Sequence, residues 1–185
     1  MAKKIKSVLS DKRYKAFVKR YRYNWTRLAV ELVGKKPSWQ QRQIIDSAQR
    51  IGARTTVASG HGTGKSDMTS IMIIAFMLTF PNARVVLVAN NARQVRIGVW
   101  KYLKENWAAI IKKKPWLDQY FSITETSFYE NSKKGVWEVV AKSCRIGNEE
   151  ALAGEHAKHL MVIVDEASGV SDKAFGVLGL SLIHI

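Results

Sequence analysis

Apolar positions recur with two periods along this chain, and the switching between them lays out its elements. Tyr14, Phe17, Val18, Tyr21, Trp25, Leu28, Ala29 and Leu32 fall three and four apart, which predicts one amphipathic helix over residues 10–33, ended by Gly34. Pro37 and Ser38 are start signals for a second helix that runs to about Arg50. Thr55-Thr56-Val57-Ala58 is β-branched and apolar, as a buried strand is. Residues 66–80 are apolar nearly all round over a helical length, as in a helix buried beneath a sheet. After a turn at Pro81-Asn82, Val85-Val86-Leu87-Val88-Ala89 is an unbroken apolar run, the signature of a parallel strand covered on both faces. Asn90-Asn91 then caps a long helix with Val95, Val99, Leu103, Trp107 and Ile110 on one side. Residues 121–129 and 136–143 read as two strands, paired as a hairpin across 131–135. Leu160-Met161-Val162-Ile163-Val164 is a further buried strand. Strands alternating with helices predict an α/β fold around a mostly parallel sheet.

Between the strand at 55–58 and the helix at 66–80 lies Ser59-Gly60-His61-Gly62-Thr63-Gly64-Lys65-Ser66. Glycines let a backbone curl until several N–H groups point at one anion. Lys65 adds a point charge toward the β- and γ-phosphates of a nucleotide, and the Ser66 hydroxyl completes the shell of a Mg²⁺ ion. The following helix aims its positive end at the same place. The common spacing, G-x-x-x-x-G-K-[ST], has glycine where Ser59 stands. Serine makes the same turn with a negative φ, so the departure touches the pattern more than the mechanism. Strand, phosphate loop and buried helix together are the arrangement of a P-loop NTPase; it resembles the ASCE, RecA-like kind.

A phosphate loop needs an acid across the sheet. The strand at 160–164 ends in Asp165-Glu166, at the carboxyl edge where α/β sheets bind ligands. There Asp165 is expected to hold Mg²⁺ beside Ser66, and Glu166 to orient the attacking water or take its proton. Acids in that place also cap the next helix. Upstream, Gln40 both donates and accepts, which suits the edge of adenine and favours ATP over GTP. Gln41 and Gln43 stand beside it.

Composition narrows the partners. Thirty Lys and Arg against 15 Asp and Glu give a formal net charge of +15, which points to a polyanion, usually nucleic acid. The excess is uneven: residues 1–36 hold 12 Lys or Arg against Asp11 and Glu31, and Lys112-Lys113-Lys114 forms a second cluster. Contacts of this kind grip phosphates and read no sequence. The 185 residues suffice for one α/β domain burying roughly 70% of its unfolded surface. Cys144, the single cysteine, has no partner for an internal disulfide and fits a reducing compartment. The longest apolar run, 71–78, is too short to span a bilayer, so no membrane partner is expected.

With these pieces placed, residues 37–178 resemble the ATPase domain of a large terminase subunit, the DNA-packaging motor of tailed bacteriophages. The resemblance rests on Trp39-Gln40, on Ser59 to Ser66, and above all on Leu152-Ala153-Gly154-Glu155-His156-Ala157 leading into Val162-Ile163-Val164-Asp165-Glu166-Ala167-Ser168-Gly169. It implies that Gln40 matches the adenine-binding glutamine, Lys65 and Ser66 the Walker A lysine and serine, Asp165 the Walker B acid, and Glu166 the catalytic glutamate. It also implies ATP and Mg²⁺ as cofactors, double-stranded DNA as substrate, and a ring of subunits that meets a portal protein and a small terminase subunit in the bacterial host cytoplasm. His61 stands where many family members carry an arginine; Arg93 and Arg96 are candidates for that charge. The family's coupling motif and nuclease domain are not found in these residues.

The organisation expected is therefore a basic amphipathic helix at 1–36, an ATPase core at 37–179, and a tail at 180–185. Leu180-Ser181-Leu182-Ile183-His184-Ile185 resembles a translated transposon adapter and is expected to be non-native; otherwise it reads as an apolar tail on an edge strand. Two other functions fit the motifs. One is a DEAD-like helicase, against which Asp165-Glu166-Ala167-Ser168 departs from Asp-Glu-Ala-Asp. The other is a fragment that binds ATP and DNA without turnover.

Overall fold

The valine-rich run after Pro81 forms the centre of the sheet. In the structure, a computed structural model that describes residues 5–58, 60, 62–89, 96–143, 156–165 and 182–184, the strands are β1 (Thr55–Thr56), β2 (Ala83–Ala89), β3 (Phe121–Ile123), β4 (Phe128–Glu130), β5 (Glu138–Ser143), β6 (His159–Val164) and β7 (Leu182–His184). The helices are α1 (Lys12–Tyr21), α2 (Trp25–Leu28), α3 (Trp39–Ala48), α4 (Lys65–Thr79) and α5 (Lys101–Lys113). Sheet order is β1-β7-β6-β2-β5-β4-β3. The first five strands in that order are parallel, and β4 and β3 add an antiparallel edge. The fold is thus the mixed, mostly parallel α/β sheet the pattern predicts. In β2, Val85, Val86, Leu87 and Val88 are all buried, because a parallel strand in mid-sheet has no solvent face.

Helix α4 explains its own composition. It lies against β2 and β5 on one side and against α1, α2 and α5 on the others, so no face meets water. Met72, Ile73, Ile74, Met77 and Leu78 are fully buried, each stabilising the fold by about 1.5–3 kcal/mol. The end of a buried helix must still satisfy its carbonyls. Arg22 Nε donates to Thr79 O at 2.9 Å and Trp137 Nε1 to Met77 O at 3.0 Å.

The N-terminal segment is not one helix. It breaks at Arg22-Tyr23-Asn24, where Asn24 leaves helical geometry and its side chain accepts from Arg27 N at 3.0 Å, capping α2. A π-helical turn, Ala29–Val33, follows and ends at Gly34 with φ +83°. The bend wraps the apolar stripe around α4: Tyr14, Phe17 and Tyr21 come from one arm, Trp25, Leu28 and Leu32 from the other, all in one core.

Three further expectations change. The strand expected to be buried at 55–58 is two residues long, Thr55–Thr56, and neither is buried. Residues 121–129 form a tight hairpin, not one strand, because Thr124 N donates to Ser127 O at 2.8 Å and Thr124 Oγ1 accepts from Ser127 N at 3.0 Å. The hairpin across 131–135 is present as the antiparallel pair β4–β5. The tail at 182–184 is not an edge strand: its backbone runs between β1 and β6, parallel to both. The cap at Asn90-Asn91 lies outside the described residues.

Candidate active site

Register sets the spacing of the site. His184 is the Cα partner of both Thr56 and Val164, so the ends of β1, β7 and β6 stand in one row at the carboxyl edge of the sheet. Two strand spacings separate β1 from β6, about 10 Å. The phosphate loop leaves one end of that row and Asp165 the other.

The loop has the backbone an anion cradle needs. Gly62 and Gly64 both sit at φ +78°, with Thr63 between them at negative φ. This alternation turns successive N–H groups toward one concavity. A side chain at either glycine would be strained, since the left-handed region costs an L-residue about 1–2 kcal/mol. Gly64 caps α4 without a side-chain bond, so the first-turn N–H groups face the loop rather than a cap. Lys65 Nζ folds back to donate to Gly60 O at 3.3 Å.

Opposite, Asp165 N donates to Val88 O at 2.8 Å, extending the β2–β6 ladder by one residue and fixing Asp165 to the strand end. Lys65, Ser66 and Asp165 line one narrow cleft, floored by Leu87, Val99 and Ile163. Its volume, about 10 Å³, admits a single water-sized occupant. The π-helical turn Arg96–Trp100 passes close by: a Cβ on Gly98 would stand 3.9 Å from Ser66 Oγ. Trp100 Nε1 anchors that turn by donating to Thr124 O at 2.8 Å.

The glutamine that reaches the loop is Gln41. Its Nε2 donates to Thr63 O at 3.2 Å, while Gln40 is exposed on the first turn of α3. A second pocket, about 290 Å³, opens between residues 35–45 and the start of α4, lined by Lys36, Pro37, Gln41, Ile45, Met68 and Ile71. Across it Lys35 Nζ pairs with Asp67 Oδ1 at 2.7 Å. Asn106, buried on α5, donates through Nδ2 to the same Oδ1 at 2.9 Å and to Ser70 Oγ at 2.6 Å. Neither Asp67 nor Asn106 carries a motif; an asparagine inside the apolar stripe of α5 was the one signal that could have found this network.

The basic clusters converge. Arg20 and Arg27 both pair with Glu31, at 2.6 and 3.6 Å, and Lys113 Nζ from the end of α5 donates to Glu31 O at 2.9 Å. Arg20 and the Tyr21 hydroxyl hold the Glu31 carboxyl down to about 2. Arg13, by hydrogen bonding, holds Asp11 well below the usual carboxylate range. Lys12, Lys15 and Lys19 lie exposed along α1. The surface over α1 and the end of α5 is therefore cationic and offers backbone contacts to a polyanion.

Of the residues singled out in the sequence, Lys65, Ser66 and Asp165 share the cleft, and Gly60, Gly62, Thr63 and Gly64 form the loop beside it. Ser59, His61, Glu166, Arg93 and residues 152–155 lie outside the described residues, and Arg96 is described in its backbone. Among the described residues no helix is long and apolar enough to cross a membrane, and no three His, Cys, Asp or Glu cluster as a metal site.

Comparison with known proteins bears on the family and on the fold. No family model matches the chain. It is 58% identical over 173 residues, 94% of its length, to a probable terminase large subunit of Enterobacteria phage P7, and it spans 35% of that relative's length. Two solved structures of the large terminase ATPase domain of Thermus phage P74-26, one a point mutant, superpose with a TM-score of 0.59. The mutant is 19% identical, covering 84% of this chain and 67% of its own. The other is 17% identical, covering 84% and 66%. At that identity the likeness is one of fold.

Proposed function

We infer that this chain, a relative of phage large terminase subunits over nearly its whole length, is the part of such a subunit that binds and hydrolyses ATP. The observation that carries the reading is the single cleft lined by Lys65, Ser66 and Asp165 at the carboxyl edge of the sheet. The donor set fits Mg²⁺, a hard cation that takes hydroxyl and carboxylate oxygens and keeps several waters. The cleft's size suits one ion. When bound, Mg²⁺ neutralises charge on the β- and γ-phosphates.

The chain's own residues supply the rest. N–H groups of residues 60–66 cradle the phosphates, with Ser59 and His61 completing the loop. Lys65 moves from Gly60 O to a phosphate oxygen, exchanging a 3.3 Å bond to a neutral carbonyl for one to a charged acceptor. Ser66 and Asp165 hold the metal side. Glu166, one residue beyond Asp165, orients the attacking water and takes its proton. The pocket between 35–45 and α4 takes the base, and its apolar floor suits a flat heteroaromatic ring. Gln40, exposed on the first turn of α3, is the amide that reads the edge of adenine. In the whole subunit, hydrolysis drives packaging of double-stranded DNA in the host cytoplasm. The cationic surface over α1 contacts the DNA backbone, and subunits form a ring at a portal protein, supplied with DNA by a small terminase subunit.

Phosphate release by the wild-type chain, Lys65→Ala and Glu166→Gln, each with and without duplex DNA, tests the reading. ATP turnover lost in both variants, with ATP binding lost only in Lys65→Ala, supports it. Equal turnover in all three proteins refutes the site. Binding without any release makes the chain a nucleotide-binding module whose turnover needs the rest of the subunit.

A further inference from the structure

The amide of Gln41 is used at both ends, and the two ends serve different elements. Oε1 accepts from Ser38 N at 3.0 Å while Ser38 Oγ accepts from Gln41 N at 3.3 Å, which closes a capping box at the start of α3. Nε2 then donates to Thr63 O at 3.2 Å, within the phosphate loop. The fit around that nitrogen is close: a Cβ on Gly64 would stand 2.9 Å from it. A side chain whose oxygen is held by a cap cannot rotate freely, so its nitrogen is presented to the loop in one orientation.

We propose that Gln41 is a positioning residue for the phosphate loop: it fixes the peptide between the two left-handed glycines, Gly62 and Gly64, so that the anion cradle is formed before a ligand arrives. Thr63 is the residue whose backbone must keep negative φ for the N–H groups on either side to converge. Its carbonyl is tied outward, to α3, which leaves the N–H side facing the ligand. A loop ordered in advance spends less binding energy on its own ordering. The ligand class is any polyphosphate, because the bond acts on the cradle and not on the base. This rests on the nucleotide reading above, and it separates Gln41 from a role as a reader of adenine.

The substitution Gln41→Glu divides the two ends. Glutamate at this position closes a capping box as well as glutamine does, so α3 keeps its cap. A carboxylate has no donor for Thr63 O, so the loop bond is lost. Gln43→Glu, exposed on the same helix, controls for the added charge. Binding of Mg²⁺-tripolyphosphate, ATP and adenosine is measured by calorimetry on the full chain. The expected result is a five- to tenfold weaker Kd for tripolyphosphate and ATP alike in Gln41→Glu, the loss of about one hydrogen bond, with Gln43→Glu near wild type and adenosine unaffected. Weaker ATP and adenosine binding with unchanged tripolyphosphate overturns the proposal and makes Gln41 a base reader. Equal affinities in both variants also overturn it.

Amide hydrogen exchange of residues 60–66 in the ligand-free chain reads the same bond without a nucleotide. Faster exchange in Gln41→Glu, with α3 exchange unchanged, supports the proposal, and identical exchange refutes it. If wild type fails to bind tripolyphosphate, the nucleotide reading falls, while exchange still decides what Gln41 does to the loop.

Discussion

Asn106→Ala should strongly weaken the contact that joins α5 to α4. Asn106 is 1% exposed and spends both hydrogens of one nitrogen, at 2.9 Å on Asp67 Oδ1 and at 2.6 Å on Ser70 Oγ. A hydrogen bond to a charged acceptor contributes about 1.5–3 kcal/mol and a neutral one about 1 kcal/mol. Asp67 keeps Lys35 at 2.7 Å, but that side chain is 38% exposed, so water screens the pair and it does not make up the loss. The expected cost is about 2.5–4 kcal/mol. With a urea m-value of about 2 kcal/mol/M, the midpoint falls by about 1–2 M. Asn106→Asp provides a second arm. It keeps the shape and sets a carboxylate against Asp67, so the introduced group has a raised pKa in the fold. The folded state then binds the extra proton, and the destabilisation grows as pH rises through the carboxylate range. Urea melts of both variants at pH 4 and pH 7 check this. A midpoint shift below about 0.3 M for Asn106→Ala, or an Asn106→Asp penalty flat with pH, refutes the network as a structural tie.

Three further outcomes are expected. Glu31→Gln should lower Tm at pH 7: Glu31 titrates near 2 in the fold against roughly 4.3 unfolded, so its contribution is complete above the unfolded value, and the gap to wild type closes as pH falls from about 4.3 to 2 in thermal melts. Gly64→Ala should cost about 1–2 kcal/mol by urea denaturation, because residue 64 sits at φ +78° and a Cβ there meets Gln41 Nε2; an unchanged midpoint contradicts the left-handed loop. Asp165→Asn should weaken ATP binding by about tenfold in Mg²⁺ and not at all in EDTA, measured by calorimetry; equal loss in both buffers removes Asp165 from the metal side.

The chain's local chemistry wrote much of this protein in advance. An all-round apolar helix, two unbroken valine-rich strands, a glycine-rich loop and an acid at a strand end each follow from residues close in sequence, where periodicity and backbone freedom act directly. α4, β2, β6 and the loop ending in Lys65-Ser66 were legible for that reason. The long-range choices were not. In residues 10–33 the unbroken helical spacing of the apolar stripe hid the break that Asn24 caps, because both arms of the bend pack into one core with α4 and so keep the same apolar pattern. Gln40 and Gln41 are indistinguishable as letters. Only the docking of α3 against the loop selects the one whose amide reaches Thr63 O. Likewise Asn106 reads as a break in an apolar stripe until packing sets it over Asp67 and Ser70. The tail at 182–184 reads as a terminus, yet its backbone lies between β1 and β6, since an open slot between two parallel strands leaves N–H and C=O groups that a third strand can satisfy. Sequence determined the elements and the chemistry they carry; the tertiary structure decided which polar groups meet, because each of those meetings joins residues that only folding brings together.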